Sequence, residues 1–392
     1  MILCNFESIR PRFMLSQEST LQWLVDAHTR AESSRAQSMP GQRNNPLDRE
    51  YSVLFQRYAC SPKRISTRGV EVEDFTHSEW NKMELFSFNK NWQGPTMTER
   101  TRTFQKIGRR IFKKMYPETS NPPDHIIHVT CTGYVSPSCA QELVIRNHWY
   151  EKTVVTHAYH MGCYASVPAV RMAEGFLTNS RSKRATASKQ NTRVDIIHTE
   201  VCSIHVQLGD PSPEQIVVQS LFADGFIKYS AVTHTNNNFR IGTGLKLMAT
   251  HEQLIPDSLE AISWECSEWG MKMGLSREVP NKITTSLLPF LMELCNRAGV
   301  SFERIRPEAI FAVHPGGPRI IDQIQTLLHL SDEQMENSKS ILRVHGNMSS
   351  ATLPHIWESI LNNLPSPNSK YILSLAFGPG ICISGALFKT IP

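Results

Sequence analysis

The chain has 392 residues, a formal net charge of +5 and 40% hydrophobic residues. At roughly 150 residues per domain, this length predicts two or three domains, or one large two-lobed unit. The apolar content excludes general disorder, and the sequence has no collagen period, heptad array or run of 18 apolar residues.

The nine cysteines are scattered and form no Cys-x-x-Cys pair, which argues against zinc-ribbon and thioredoxin-like sites. Residues 1–12 lack a basic region followed by an apolar run, so no secretory signal is predicted there. The mild basicity is too diffuse to indicate nucleic-acid binding. We therefore expect a protein of the reducing cytoplasm, with free thiols, no metal and no membrane insertion.

Hydrophobic periodicity and capping signals predict alternating helices and strands. In chain order the prediction is helix 16–32, loop 36–49, helix 99–116, strand 124–131, helix 138–147, strand 152–157, helix 164–177, loop 178–193, strands 195–206, 215–222, 261–267 and 271–275, helix 281–298, strand 310–314, helix 320–328 and strands 371–377 and 382–388. Such alternation predicts a layered α/β fold.

The predicted loop 178–193 is basic and contains no acid. Arg181, Lys183 and Arg184 are three of its five basic residues. Its composition is typical of a solvated surface insertion, and it is equally compatible with a docking patch for an acidic partner.

Reactive residues stand at three points where a predicted strand or helix ends. Cys163 follows a strand and a glycine and begins a helix, whose dipole favours thiolate. His314 ends a strand before Pro-Gly-Gly-Pro, and Asn347 follows a glycine. Taken singly, they could equally be a buried small hydrophobe, a satisfied core imidazole and a helix cap.

Together these segments resemble one family, the chalcone synthase-like type III polyketide synthases of the thiolase superfamily. The supporting runs are Gly162-Cys-Tyr-Ala, Leu221-Phe-Ala-Asp-Gly, Leu254-Ile-Pro-Asp-Ser, His314-Pro-Gly-Gly-Pro, Gly346-Asn-Met-Ser-Ser and Phe377-Gly-Pro-Gly. The resemblance implies a five-layer αβαβα fold with two pseudo-repeated halves, placed at residues 1–235 and 236–392, and a homodimer.

The resemblance also implies catalytic roles. Cys163 would take an acyl group from a thioester, with His314 keeping it as thiolate. His314 and Asn347 would stabilise the enolate of the second substrate, and no metal or cofactor would be required beyond substrates carried on phosphopantetheine. The backbone N–H of Cys163, beside the loop 378–380, is the expected oxyanion hole.

The resemblance further implies pocket positions. Phe222 matches one of the family's two gatekeeping phenylalanines, whereas Met273 replaces the second and favours a long or flexible chain; simple repacking explains this replacement equally well. The other expected pocket residues are Thr132, Gly378 and Gly380. The family's usual glycine and phenylalanine are replaced by Ala376 and Tyr164.

Two sets of basic residues are expected to contact the substrate carrier. Lys63, Arg64 and Arg68 lie where plant-type members contact coenzyme A. The basic residues of the loop 178–193 suit an acidic acyl carrier protein; they include Arg181, Lys183 and Arg184.

Two condensation reactions compete as the function. The run from His198 to His205 is similar to bacterial ketosynthases of the myxopyronin and corallopyronin type, and slightly favours joining two carrier-bound β-ketoacyl chains into an α-pyrone. That reaction needs a base, and the sequence shows no dedicated one. The alternative extends a long-chain acyl-CoA with malonyl-CoA to a pyrone or resorcinol. A Cys–His hydrolase or acyltransferase would not need Asn347, and an inactive scaffold would not need all three reactive residues.

Overall fold

The structure is a computed structural model that describes residues 1–38, 48–88, 91–183, 192–233, 242–364 and 369–391; the side chains of residues 48, 49 and 179–183 are outside the description. Its strands are β1 Ile2–Ile9, β2 Phe13–Ser16, β3 Thr67–Val70, β4 His125–Thr130, β5 Val154–Tyr159, β6 Arg193–Glu200, β7 Gly225–Val232, β8 Gly244–Leu254, β9 Ile262–Ser267, β10 Gly270–Leu275, β11 Ile310–Val313, β12 Tyr371–Gly378 and β13 Cys382–Ile391.

The helices are numbered separately, in chain order. They are α1 Gln17–Ser38, α2 Asp48–Tyr58, α3 Met97–Met115, α4 Cys139–Arg146, α5 Ser166–Lys183, α6 Pro213–Leu221, α7 Val279–Arg297, α8 Phe302–Ile305, α9 Pro318–Leu327, α10 Asp332–His345 and α11 Thr352–Asn363.

Nine strands form one sheet in the order β11-β12-β13-β8-β1-β7-β6-β4-β5. In the first half β4 and β6 are parallel, and β7 and β1 follow antiparallel. In the second half β11 and β12 are parallel, and β13 and β8 follow antiparallel. Within this sheet, the described halves are joined by β1 and β8, which pair at Ile2 with Lys246 and at Leu3 with Leu245. This repeated pattern agrees with two related halves.

Helices α5 and α11 form the central layer. Their apolar faces share one buried cluster with strand residues of both halves, including Ile196 of β6 and Ile372 of β12. Both helices contact strands from each half of the sheet. The core therefore joins the two halves through these helices.

Helices also cover the outer face of each half. Helices α3 and α4 pack with Ile126 and Ile197 of the first half. Helices α7 and α9 pack with Leu373 and Leu375 of the second half. Because successive strand residues point to opposite faces, the neighbours Ile372 and Leu373 face different helix layers. The resulting order is αβαβα, as predicted.

Some of the predicted elements differ from the structure. Residues 215–222 were predicted as a strand from their β-branched residues, but residues 215–221 lie in helix α6, because Ser212 caps it and Pro213 favours the first turn. The predicted loop 178–193 begins with helix, since α5 continues to Lys183. Helix α2 also begins at Asp48, inside the end of the predicted loop 36–49.

The predicted boundary between the halves, at residues 235 and 236, falls outside the described residues and stays a prediction. Among the helices of the described chain, none is long and apolar enough to cross a bilayer.

Candidate active site

Cys163 lies in a tight turn between β5 and α5. Gly162 precedes it with φ +74°, and a Cβ there would lie 2.8 Å from Pro379 Cδ. Glycine is therefore required both by the backbone conformation and by the close approach of the β12–β13 turn. Tyr164 packs in the same way against Gly378, where a Cβ would lie 2.2 Å from its ring. The nucleophile turn and the turn at 378–380 thus support each other.

His314 directly follows β11. Its backbone N–H donates to Leu375 O at 2.8 Å, which continues the pairing of β11 with β12 by one residue. The ring is fully buried, and neither ring nitrogen has a hydrogen-bond partner in the described structure. Buried polar atoms are rarely left without a partner, so the imidazole is placed for a bound ligand.

Asn347 is fixed at its backbone and at one side-chain atom. Its N–H donates to Leu221 O, and its carbonyl accepts from Ala223 N–H, both at 2.9 Å. Its Oδ1 accepts from the Ser349 N–H at 2.9 Å. This leaves the buried Nδ2 as a free donor among the described residues. The expected amide donor is therefore present and oriented.

One cavity of about 80 Å³ brings these three side chains together. Cys163, His314 and Asn347 all line it, although they come from three separate parts of the chain. A thiol and two nitrogen donors without protein partners face a common space. This arrangement fits a nucleophile beside a site for a carbonyl oxygen.

Burial disfavours charge on either member of the Cys–His pair. It raises the pKa of the Cys163 thiol to about 12 and lowers the pKa of the His314 imidazole to about 3. Neither group is therefore charged alone at neutral pH. Proton transfer from the thiol to the imidazole creates two opposite charges together, which attract strongly in a low-dielectric site.

The sequence analysis missed a buried network behind the nucleophile. Ser349 Oγ lies 3.7 Å from Cys163 Sγ and 3.0 Å from Cys131 Sγ. Glu200 accepts from the Thr132 hydroxyl at 2.8 Å, and also from the Ser350 hydroxyl. Desolvation raises the pKa of the Glu200 carboxyl. The only sequence signal was the position of Cys131 at the end of a buried strand.

A rigid wall closes another side of the cavity, and its residues were not predicted either. Trp264 Nε1 donates to Cys131 O at 2.8 Å. His205 Nδ1 accepts from Met271 N–H at 3.1 Å, so its Nε2 carries the proton and donates to Thr132 O at 2.8 Å. These bonds fix two large rings against the cavity, which explains its small volume.

Most of the predicted pocket residues line the cavity. Thr132, Phe222, Met273 and Gly378 do so, but Gly380 is not among the lining residues. Gly380 instead has φ +64° and donates its N–H to Ile262 O at 2.8 Å. It fixes the β12–β13 turn to β9 and supports the wall from outside.

The comparisons with known proteins point to one family. The family profile "Chalcone and stilbene synthases, C-terminal domain" matches residues 246–392. The chain is 28% identical to Type III polyketide synthase C of Arabidopsis thaliana over 276 residues, which are 68% of this chain and 67% of that protein. It is 27% identical to Probable polyketide synthase 1 of Dictyostelium discoideum over 269 residues, which are 68% of this chain and 8% of that protein.

In sequence, the chain is similar to type III polyketide synthases over 68% of its length. The solved structure of 1,3,6,8-tetrahydroxynaphthalene synthase, a bacterial type III polyketide synthase from Streptomyces coelicolor A3(2), superposes with a TM-score of 0.77. At 21% identity, it covers all of both chains. This likeness establishes the thiolase-like fold of the chain.

A larger open cavity of about 940 Å³ adjoins this site. The two cavities share lining residues, including Leu221, Gly316 and Ile320. Four arginines line the larger one, namely Arg57, Arg64, Arg277 and Arg319. It is therefore a basic vestibule, and among the predicted carrier contacts whose side chains the structure describes, only Arg64 lines it.

The other predicted carrier contacts lie elsewhere. Arg68 is buried, and its Nη1 donates to Gln219 O at 2.7 Å and to Phe222 O at 2.8 Å. It lines the smaller cavity, where its guanidinium fixes neighbouring backbone, and its contact with coenzyme A stays a prediction. Lys63 is exposed and does not line the vestibule.

The other three predicted carrier contacts belong to the basic loop 178–193. Arg184 and the side chains of Arg181 and Lys183 are outside the described residues, so their contact with a carrier protein stays a prediction.

Proposed function

We propose that this protein is a type III polyketide synthase that extends an acyl-CoA starter with malonyl-CoA and closes a pyrone or resorcinol ring. The observation that carries the proposal is the convergence of Cys163, His314 and Asn347 on one buried cavity. The two nitrogen side chains have donors without protein partners there. Two donors directed into one cavity fit the enolate oxygen of a condensation.

The first step is the transfer of the acyl group. The Cys163 thiol gives its proton to His314, and the thiolate attacks the starter carbonyl. The new carbon–sulfur bond forms as the bond to coenzyme A breaks, and the coenzyme A thiolate leaves with the proton of His314. The backbone N–H of Cys163 is the proposed oxyanion donor.

The second step joins two carbons. Malonyl-CoA loses carbon dioxide, and the electron pair of the broken bond forms an enolate. The His314 and Asn347 donors stabilise the enolate oxygen, a kind of contact typically worth about 3–4 kcal/mol per donor. The enolate carbon then attacks acyl-Cys163, and the bond to sulfur breaks to release Cys163 as a thiolate.

Decarboxylation also favours this reaction over the joining of two β-ketoacyl chains. Loss of carbon dioxide generates the enolate without a base, whereas chain joining requires deprotonation. Glu200 is the nearest buried carboxyl group, but it stands behind Thr132 and Cys131 and does not line the cavity. The comparisons likewise support the malonyl-CoA reaction better than the chain-joining reaction.

The basic vestibule supports delivery on coenzyme A. Its four arginines suit the phosphates of that carrier, because guanidinium groups bind phosphate through paired hydrogen bonds. The Nη atoms of Arg64 also bond both carboxylate oxygens of Asp322, at 2.7 and 3.2 Å. Arg64 is therefore held in place at the rim.

A homodimer belongs to the same proposal. Strand β5 stands at the edge of the sheet among the described strands, and Val154 at its start is 56% exposed. An exposed edge strand is a template for pairing with another chain. We propose that two copies pair along β5, close to both nucleophile turns.

The function is tested by separating loading from condensation. Purified protein is offered acyl-CoA starters of increasing length, and mass spectrometry measures the adduct on Cys163. Malonyl-CoA is then added, and the amount of ring product is measured. We expect Asn347→Ala to lower condensation at least 100-fold while retaining loading, since one oxyanion-type donor is typically worth about 10²–10³ in rate.

Two outcomes would contradict the proposal. One is the absence of any acyl adduct on Cys163 with every starter. The other is turnover of carrier-bound β-ketoacyl chains without use of malonyl-CoA, which would restore the chain-joining reaction. Asn281→Ala, at the start of helix α7 and outside the cavity, is the matched control and should keep both activities.

A further inference from the structure

We propose that Cys131 is a second acyl acceptor, to which an acyl group on Cys163 is transferred. The inference rests on the proposed function, because it needs an acyl-Cys163 as donor. Cys131 follows β4 and lines the same cavity as Cys163. It would hold one acyl group while Cys163 is free to accept another.

The two thiols are connected by a single hydroxyl group. Ser349 Oγ lies 3.0 Å from Cys131 Sγ and 3.7 Å from Cys163 Sγ. Ser349 has φ +49°, an unusual conformation for a serine, and its N–H is bonded to Asn347 Oδ1. Strained residues cluster at functional sites, and this conformation places the hydroxyl between the sulfurs.

A carboxyl group stands beside the second thiol. Glu200 Oε2 lies 3.6 Å from Cys131 Sγ and accepts the Cys131 N–H at 3.1 Å. Hydroxyl donors of Thr130, Thr132 and Ser350 fix the same carboxyl group. A thiol is activated when a base lies in contact with it and further groups orient that base.

The cavity provides the remaining component for acyl transfer. His314 and Asn347 are buried and direct unpartnered nitrogen donors into it. These donors are placed to bind a carbonyl oxygen of the substrate, whether or not Cys131 reacts. An acyl group bound there is therefore presented in a space that both thiols line.

The transfer is a balanced thioester exchange. Glu200 takes the proton of Cys131, and the thiolate attacks the carbonyl carbon of acyl-Cys163. A carbon–sulfur bond to Cys131 forms as the bond to Cys163 breaks. Cys163 leaves as the thiolate, ready to accept another acyl group, and the proton of Cys131 stays on Glu200. One thioester replaces another, so no oxidant or further reactant is needed.

The test maps acyl groups on both cysteines. The starter that acylates Cys163 most completely is mixed with the enzyme, and samples are quenched in acid and digested for peptide mass analysis. We expect acyl-Cys131 to appear after acyl-Cys163 in the wild type. In Cys163→Ala it should fall at least tenfold, because its donor is missing.

Cys295 provides a matched control, because it is a buried free thiol that does not line the cavity. Cys295→Ala should leave acyl-Cys131 unchanged, and Cys131→Ala should leave Cys163 as the one acylated position. Acylation of Cys163 without Cys131 would overturn the inference and leave the proposed function standing, as would equal labelling of Cys131 in Cys163→Ala. Labelling of neither cysteine would overturn the proposed function itself.

Discussion

At the scale of single residues, the site depends on groups that burial keeps neutral until they act together. Cys163 and His314 are both fully enclosed, and desolvation moves the pKa of each away from its charged form. A cysteine at a helix start has a depressed pKa when it is solvated. Here burial outweighs the helix dipole, so the thiolate depends on the imidazolium as its partner.

We expect His314→Gln to slow alkylation of Cys163 by iodoacetamide at least tenfold at pH 7. Burial raises the pKa of the Cys163 thiol, and without the imidazole no partner takes its proton. Its thiolate fraction therefore stays small until the pH is strongly alkaline. The measurement is the rate of Cys163 modification against pH, followed by peptide mass analysis.

The wild type should instead alkylate at a rate that is nearly level around neutral pH. His345→Gln is the control, because this histidine is near Asn347 in sequence and does not line the cavity. Equal profiles for His314→Gln and the wild type would show that the ion pair does not form.

At the scale of elements, the turn after α10 decides where the amide donor points. Gly346 ends the helix with φ +74°, and its Cβ position is 3.0 Å from Leu221 O. The same carbonyl accepts the Asn347 N–H. A side chain at residue 346 would be strained in this backbone conformation. It would also push against Leu221 O, the atom that accepts the Asn347 N–H.

We therefore expect Gly346→Ala to reduce product formation at least tenfold while acylation of Cys163 continues. The displaced carbonyl moves Asn347, which serves the condensation step alone. Product formation and acyl-enzyme are measured on the same samples.

Gly175→Ala is the matched substitution, because it lies within α5 and a Cβ there meets no atom within 4 Å. It should keep both activities, since alanine favours a helix over glycine by about 1 kcal/mol. Loss of loading in Gly346→Ala would contradict a role confined to Asn347.

At the scale of the whole molecule, Trp357 of α11 connects the two halves. Its ring meets Tyr229 of the first half and Phe388 of the second half edge to face, with centroids at 5.9 and 5.3 Å. Its Nε1 donates to Ser374 Oγ at 2.8 Å. The residue is fully buried, so the halves share their core here.

Trp357→Ala should lower the free energy of unfolding by about 3–5 kcal/mol, the usual cost of such a truncation in a core. It should also leave the Ser374 hydroxyl without its buried donor. Urea unfolding followed by circular dichroism measures the change. Met292→Ala on α7, where the side chain is 54% exposed, should change the stability little. A separate transition for each half in the wild type would contradict the shared core.

The sequence by itself determined the layered fold and the three reactive residues. Glycine precedes Cys163 and Asn347, and His314 ends a predicted strand; together, such local signals can be read without a structure. The strands predicted at 261–267 and 271–275 are β9 and β10. The prediction of a strand at 215–222 was wrong because helix capping by Ser212 outweighed the strand preference of the β-branched residues.

Only the tertiary structure decided which other residues join the site. Cys131, Ser349 and Glu200 are far apart in the sequence, and the parallel pairing of β4 with β6 brings the first and last of them together. The small cavity also depends on Trp264 and His205, whose rings are fixed by bonds to distant backbone atoms. Such contacts arise from packing between elements that are distant in the sequence, and local sequence patterns do not specify that packing.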